Sequence, residues 1–360
     1  MATQKFIENI QVKLNTSERI TPEEALVLYR EVPLGILGKL AFSRKQQLWG
    51  NKVFYNKNIH VETSNICINK CRFCSFYRDT HCNDAWEYSV AEVMNNIETK
   101  YNLGITEVHI VGSLHPERGL EYFCNLFKQI KSRWPNIHIK AFTAVEIEHV
   151  ALLSDISCKE CIIKLRNAGM DSVAGGGAEI FDEEIRKKLC PEKTSSNNWL
   201  IIHKEIHNQA IQSNCTMLYG HIENYAHRVD HMNRLRELQD ETHGFNCFIP
   251  LKYKHAHNQL GLEKEIPLSE DLRNYAVARI FLDNIPHLKA YWPMIGKEAA
   301  TLALHFGADD MDGTINDSTK IYSMAGAEDM KPVINKTEMQ NLILNEGMIP
   351  IERDSLFNRL

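Results

Sequence analysis

The chain has no apolar run approaching the roughly 18 residues that mark a membrane-spanning helix. Its first fifteen residues lack the apolar core of a secretory signal. Positive charge is not in excess: 41 Lys and Arg stand against 46 Asp and Glu, for a formal net charge of −5. That balance excludes a basic protein whose affinity is dominated by nucleic-acid phosphates. With 44% hydrophobic and 24% charged residues it is not a charge-rich disordered chain either. Ten cysteines in 360 residues are too few for a disulfide scaffold. Low-complexity segments and linkers rich in Pro, Gly or Ser are missing, so composition marks no flexible boundary. The expectation is a cytoplasmic protein with reduced thiols, no membrane span and no nucleic-acid partner.

At about 150 residues per domain the length suggests two domains, but an α/β barrel of about 250 residues counts as one. Residues 1–55 read as a helical extension. Thr21-Pro22-Glu23-Glu24 forms a capping box with proline at the first helical position. Ala25, Leu26, Leu28 and Tyr29 then supply an apolar face, and a second helix is expected over 34–49, ending near Gly50. From residue 59 the rhythm changes. Strands are expected at 59–63, 107–111, 138–141, 172–174, 215–219 and 245–249, with weaker ones at 288–291 and 308–311. Amphipathic helical patterns lie between them at 90–101, 120–134, 182–189 and 196–209. Such alternation argues for parallel strands with helical crossovers, and eight units make a TIM-type (β/α)8 barrel. The expected division is a helical extension (1–55), a barrel (56–320) and a tail packed on it (321–360).

In such a barrel, chemistry sits where strands end. Those ends carry Cys67 onward, Gly112-Ser113, Thr143 to Glu146, Gly175 to Glu179, Gly220 to Glu223, Pro250 to Lys252, Trp292 to Met294, and Asp309 to Asp312. The first of them reads Cys67-Ile68-Asn69-Lys70-Cys71-Arg72-Phe73-Cys74. A tight loop can turn three such thiolates toward one point, and thiolates suit zinc and iron–sulfur clusters. A [4Fe–4S] cube held by three cysteines leaves one iron free to chelate a small molecule. Closure by Cys82 or His81 would instead make a four-ligand structural site, and with it a metal-stabilised binding protein rather than an enzyme. Cys124, Cys158, Cys161, Cys190, Cys215 and Cys247 fall in helical or strand patterns and read as ordinary thiols. His227 and His231, four apart but without a HExxH pattern, read as structural or surface residues.

The C-x3-C-x2-C spacing is the signature of radical S-adenosylmethionine (SAM) enzymes. The strings ETSNICINKCRFCSFYR, VHIVGSLHP, IKAFTAVEI, GGGAEIF, LCPEK, TMLYGHIE and RVDHMNRLRELQDETHGF resemble the aminodeoxyfutalosine synthase family of the futalosine route to menaquinone. The resemblance runs from about residue 20 to about residue 320. Dehypoxanthine futalosine cyclase and the deazaflavin synthase subunits share the cysteine motif and the barrel. AFTAVEI and YGHIE tilt the resemblance toward the synthase.

The resemblance implies a radical SAM transferase that forms a C–C bond. Cys67, Cys71 and Cys74 would hold a [4Fe–4S] cluster, its fourth iron open to the amino and carboxylate groups of S-adenosylmethionine. That molecule would be consumed as a substrate, its 5′-deoxyadenosyl radical adding to 3-[(1-carboxyvinyl)oxy]benzoate. Rearrangement and loss of a carboxylate would give 6-amino-6-deoxyfutalosine. Flavodoxin or ferredoxin would supply the electron. Phe73 would lie near the adenine. The backbone at Gly112-Ser113 would receive the methionine amino group, although relatives usually carry two glycines there and Ser113 departs from them. Gly175, Gly176 and Gly177 bare the backbone to a ligand, and Glu179 can accept both ribose hydroxyls. Glu146, His221 and Glu223 are candidates to move protons or orient the enolpyruvyl group. Arg78 and Lys252 are candidate partners for the substrate carboxylates. Asp309, Asp310 and Asp312 would repel such a substrate and are expected to bind loop amides or ribose hydroxyls.

Overall fold

Short apolar runs, most of them followed by a helix that carries the chain back, can only pair in parallel. The computed structural model describes residues 2–313, 320–326 and 332–360. These residues hold ten strands: β1 (Lys52–Tyr55), β2 (Asn58–Val61), β3 (Glu107–Ile110), β4 (His138–Ala141), β5 (Ser172–Val173), β6 (Gln212–Tyr219), β7 (Phe245–Lys252), β8 (His287–Ala290), β9 (Asp310–Met311) and β10 (Ile349–Glu352). All pairings are parallel, in the order β10-β1-β9-β8-β7-β6-β5-β4-β3-β2. β1 pairs with β9 and β2 with β3, yet only Asn56 and Lys57 separate β1 from β2. The sheet therefore curls into a barrel-like shell whose two sides meet at that link. Across the seam His60 Nε2 stands 3.3 Å from Asp312 Oδ2.

Strands β2 to β9 match the eight expected from the sequence, within a few residues at their ends. β1 and β10 were not anticipated. β10 contains Pro350, which lacks a backbone donor and argues against a strand. It is tolerated because β10 is the outermost strand of the sheet. The expected tail thus adds a strand to the barrel. Residues 314–319, just before the expected boundary at 320, lie outside the described residues. The capping box at Thr21 is present, with Glu24 N to Thr21 Oγ1 at 3.2 Å and Thr21 N to Glu24 Oε2 at 2.8 Å.

Asp309, Asp310 and Asp312 do not serve as expected. They are fully buried and face cations. Asp309 pairs with Arg279 and with His287 at 2.6 Å, Asp310 with Arg353 at 2.5 Å, and Asp312 with Lys289 at 2.7 Å. The amide that Asp309 does accept, Leu288 N at 2.9 Å, belongs to strand β8 and not to a loop. The reason is burial: a carboxylate inside a protein must be compensated by charge, and the cations come from elements distant in sequence. Arg353 follows β10, so its pair with Asp310 also pins the tail. No helix among the described residues is long and apolar enough to cross a membrane.

Candidate active site

The segment after β2 carries the cysteine loop. Its side chains alternate: Ile68, Lys70 and Arg72 are exposed, whereas Cys67, Asn69, Cys71 and Phe73 line a cavity of about 320 Å³ together with Cys74. Two bonds dock this loop on the turn after the helix Glu183–Leu189: Arg72 N to Leu189 O at 2.8 Å and Lys70 N to Glu192 Oε2 at 2.7 Å. The rest of the segment is braced by Arg78, which meets Asp84 at 2.6 Å and the carbonyls of Ser75 and Tyr77 at 2.9 and 2.8 Å. Arg78 is absent from the cavity lining, so its expected role with substrate carboxylates gives way to this structural one.

Burial pushes all three thiols up, Cys71 to about 12. The Leu114 amide donates to Cys67 Sγ at 3.4 Å, an arrangement suited to a sulfur that carries negative charge. No group of three His, Cys, Asp or Glu side chains among the described residues is arranged to hold one metal ion. A cluster makes a different demand, because each cysteine binds a separate iron and the sulfurs stand further apart. Cys82 and His81 are both exposed and outside the cavity lining, so neither expected fourth ligand is in place for a closed site. Three cysteines on one loop, Cys71 buried and Cys67 and Cys74 half-buried, all lining one cavity, fit an iron–sulfur cluster better than a single ion.

Gly112, Ser113, Glu146, Gly176, Gly177 and Glu179 line the same cavity. Gly175 sits at φ +81°, and a Cβ there would meet the Asn214 carbonyl oxygen at 1.8 Å, so only glycine lets β5 turn this close to β6. Glu146 is the third residue of the helix Ala144–Leu153 and completes its capping box. Its Oε2 accepts Thr143 N at 2.7 Å and its Oε1 accepts Gly112 N at 2.9 Å. Burial raises it to about 7 despite these bonds.

His221 and Glu223 are not brought into the cavity. Both side chains are fully buried, 3.0 Å apart. Glu223 accepts the amides of Gly220 and His221 at 2.7 and 2.8 Å and pairs with Arg228 at 2.6 Å. Burial disfavours its charge, but His221 and Arg228 more than offset this and lower its pKa. This is a network that fixes the turn after β6 rather than one that faces a ligand. His227 and His231 behave as expected: His227 accepts Asn224 N at 3.2 Å, and buried His231 meets Thr216 O at 2.9 Å and stacks on Phe181.

Lysines complete the lining, and two of them are unforeseen. Lys252 is there as expected, bound to Asp271 at 2.8 Å, with Lys254 beside it bound to Glu265 at 3.0 Å. Lys193 reaches Glu179 at 2.6 Å and lies 5.5 Å from the centre of the Phe73 ring. A lysine after proline in a turn reads as solvated. Only the docking of residues 189–193 on the cysteine loop turns it inward. His109 of β3 is also in the lining, and its buried Nε2 has no partner. Burial and neighbouring His60 hold it well below the ordinary histidine value.

The shell and the cysteine loop define an enzyme of the radical SAM class, and the chain belongs to that superfamily. The radical SAM superfamily model matches residues 61–235, and the CofH/MqnC C-terminal region matches 242–359. The chain is 40% identical to the aminodeoxyfutalosine synthase of Thermus thermophilus, over 98% of this chain and 95% of that one. It is 37% identical to the cyclic dehypoxanthine futalosine synthase of Streptomyces coelicolor, over 95% and 86%. Methylornithine synthase has a similar fold, with a TM-score of 0.76 at 15% identity, covering 95% of this chain and 97% of that one. Membership implies a [4Fe–4S] cluster and S-adenosylmethionine.

Proposed function

We propose that the chain is an aminodeoxyfutalosine synthase. It joins the 5′-deoxyadenosyl group of S-adenosylmethionine to 3-[(1-carboxyvinyl)oxy]benzoate, with rearrangement and loss of a carboxylate, to give 6-amino-6-deoxyfutalosine for menaquinone biosynthesis. The observation that carries this reading is one cavity lined by the three cysteines, the Gly176-Gly177 turn and Glu179. The 40% identity to the Thermus thermophilus synthase directs the choice of substrate.

When bound, the [4Fe–4S] cluster supplies the electron that cleaves the sulfonium. Cys67, Cys71 and Cys74 would hold it. Glu179 accepts the ribose hydroxyls through the carboxylate oxygen that Lys193 does not use. Phe73 offers a ring face to the adenine, and the backbone at Gly112-Ser113 takes the methionine amino group. Glu146 keeps that backbone in place by holding the Gly112 amide, which makes it a positioning residue. Lys252 and Lys254 orient the substrate carboxylates. A flavodoxin or ferredoxin delivers the electron. The largely apolar lining offers shape contacts that orient the substrate's double bond.

The test is an anaerobic assay of the reconstituted protein with 3-[(1-carboxyvinyl)oxy]benzoate, S-adenosylmethionine and a reductant, read by product mass. The nucleoside adduct is expected. The second reading, cyclisation of dehypoxanthine futalosine, is favoured by the 37% identity to the Streptomyces coelicolor enzyme. Turnover of that compound with no adduct would establish it instead.

A further inference from the structure

An iron–sulfur cluster held by three thiolates concentrates negative charge in a cavity lined largely by apolar side chains. The cations lining the cavity are Lys193, Lys252 and Lys254 among the described residues. Lys252 and Lys254 are bound to Asp271 and Glu265. Lys193 alone is built into the cysteine loop's own support. Its backbone amide donates to Cys190 O at 3.0 Å, in the turn that the bonds at Arg72 and Lys70 hold against the loop. Its ammonium lies over Phe73, the residue just before Cys74. Its side chain is 14% exposed and that of Glu179 9%.

We propose that Lys193 tunes the reduction potential of the cluster: its ammonium, in the cavity that Cys67, Cys71 and Cys74 also line, stabilises the reduced state, and Glu179, 2.6 Å from that ammonium, opposes it. The inference rests on the reading that Cys67, Cys71 and Cys74 hold a [4Fe–4S] cluster. The physical reason is simple. Reduction adds one negative charge, and a fixed cation in the same cavity, in a medium of low effective dielectric, favours that state. A buried ion pair contributes little to fold stability, so stability alone gives Lys193 and Glu179 no reason to lie here. The Glu179 carboxylate, 2.6 Å away, favours the charged ammonium. Lys193 is thus a positioning residue that acts through the cluster.

The experiment is a redox titration of the reconstituted protein without S-adenosylmethionine, followed by electron paramagnetic resonance, with iron content measured for each variant. Lys193→Met is expected to shift the midpoint potential to more negative values, and Lys193→Arg to restore it. Glu179→Gln, which removes the opposing charge, is expected to shift it to more positive values. Opposite signs from two residues that touch each other are not produced by a general loosening of the site. Shifts of the same sign, or none, would overturn the proposal. Should Lys193→Met fail to take up iron, Glu179→Gln decides alone: a positive shift supports the proposal and an unchanged potential sinks it. A wild-type preparation without an iron–sulfur signal would instead reject the three-cysteine reading.

Discussion

The Glu146 carboxylate accepts the Gly112 amide at 2.9 Å and so ties the turn after β3 to the helix that follows β4. One side chain caps a helix and fixes a stretch of cavity backbone at the same time.

A pH dependence follows from that position. Burial raises Glu146 to about 7 from an ordinary value of 4.5. Between these values the unfolded chain is ionised while the folded one keeps its proton. Stability from this group is therefore full below about pH 4.5 and is lost as pH rises through about 7, by up to about 3 kcal/mol. In thermal melts across this window, the stability of wild type relative to Glu146→Gln should fall as pH rises. Parallel curves would refute the assignment.

The cluster reading predicts a division among the cysteines. Cys67→Ala, Cys71→Ala and Cys74→Ala should each lose most iron and bring product formation to background. Cys82→Ala, at an exposed position outside the cavity, should retain both. Treatment with an iron chelator should imitate the first group. Iron quantitation and product mass are the readouts.

Gly175→Ala should be destabilising by at least about 2 kcal/mol, because both the positive φ and the neighbouring β6 backbone forbid a Cβ. Urea denaturation measures it. The same change at Gly35, where a Cβ meets nothing within 4 Å, is the control and should cost little.

Arg353→Met should cost about 3–5 kcal/mol, since it leaves Asp310 buried with a weaker partner, Lys289 at 3.5 Å. The loss should appear first as faster hydrogen exchange in β10 and β1.

Much of the barrel was legible because it rests on local signals. Alternating apolar runs, capping boxes and glycine turns act within a few residues, and the eight strands from β2 to β9 follow from them. The cysteine loop was legible for the same reason, its spacing being contained in eight residues. What failed was any role that depends on which distant element faces a side chain. Glu223 reads as a strand-end carboxylate open to a ligand, yet Arg228 and its own turn amides consume it. Asp309, Asp310 and Asp312 read as an acidic rim, yet Arg279, Arg353 and Lys289 bury them in pairs.

The sequence by itself therefore determined the parallel α/β architecture, the three-cysteine loop and the glycine turn beside Glu179. Tertiary structure alone decided that Lys193 faces the cysteines, that Glu146 holds the Gly112 backbone, that His221 stays behind the cavity wall and that a proline-bearing tail strand completes the sheet. The physical reason is range. Backbone sterics and hydrophobic periodicity act along the chain, whereas burial and charge pairing act through space between residues far apart in sequence.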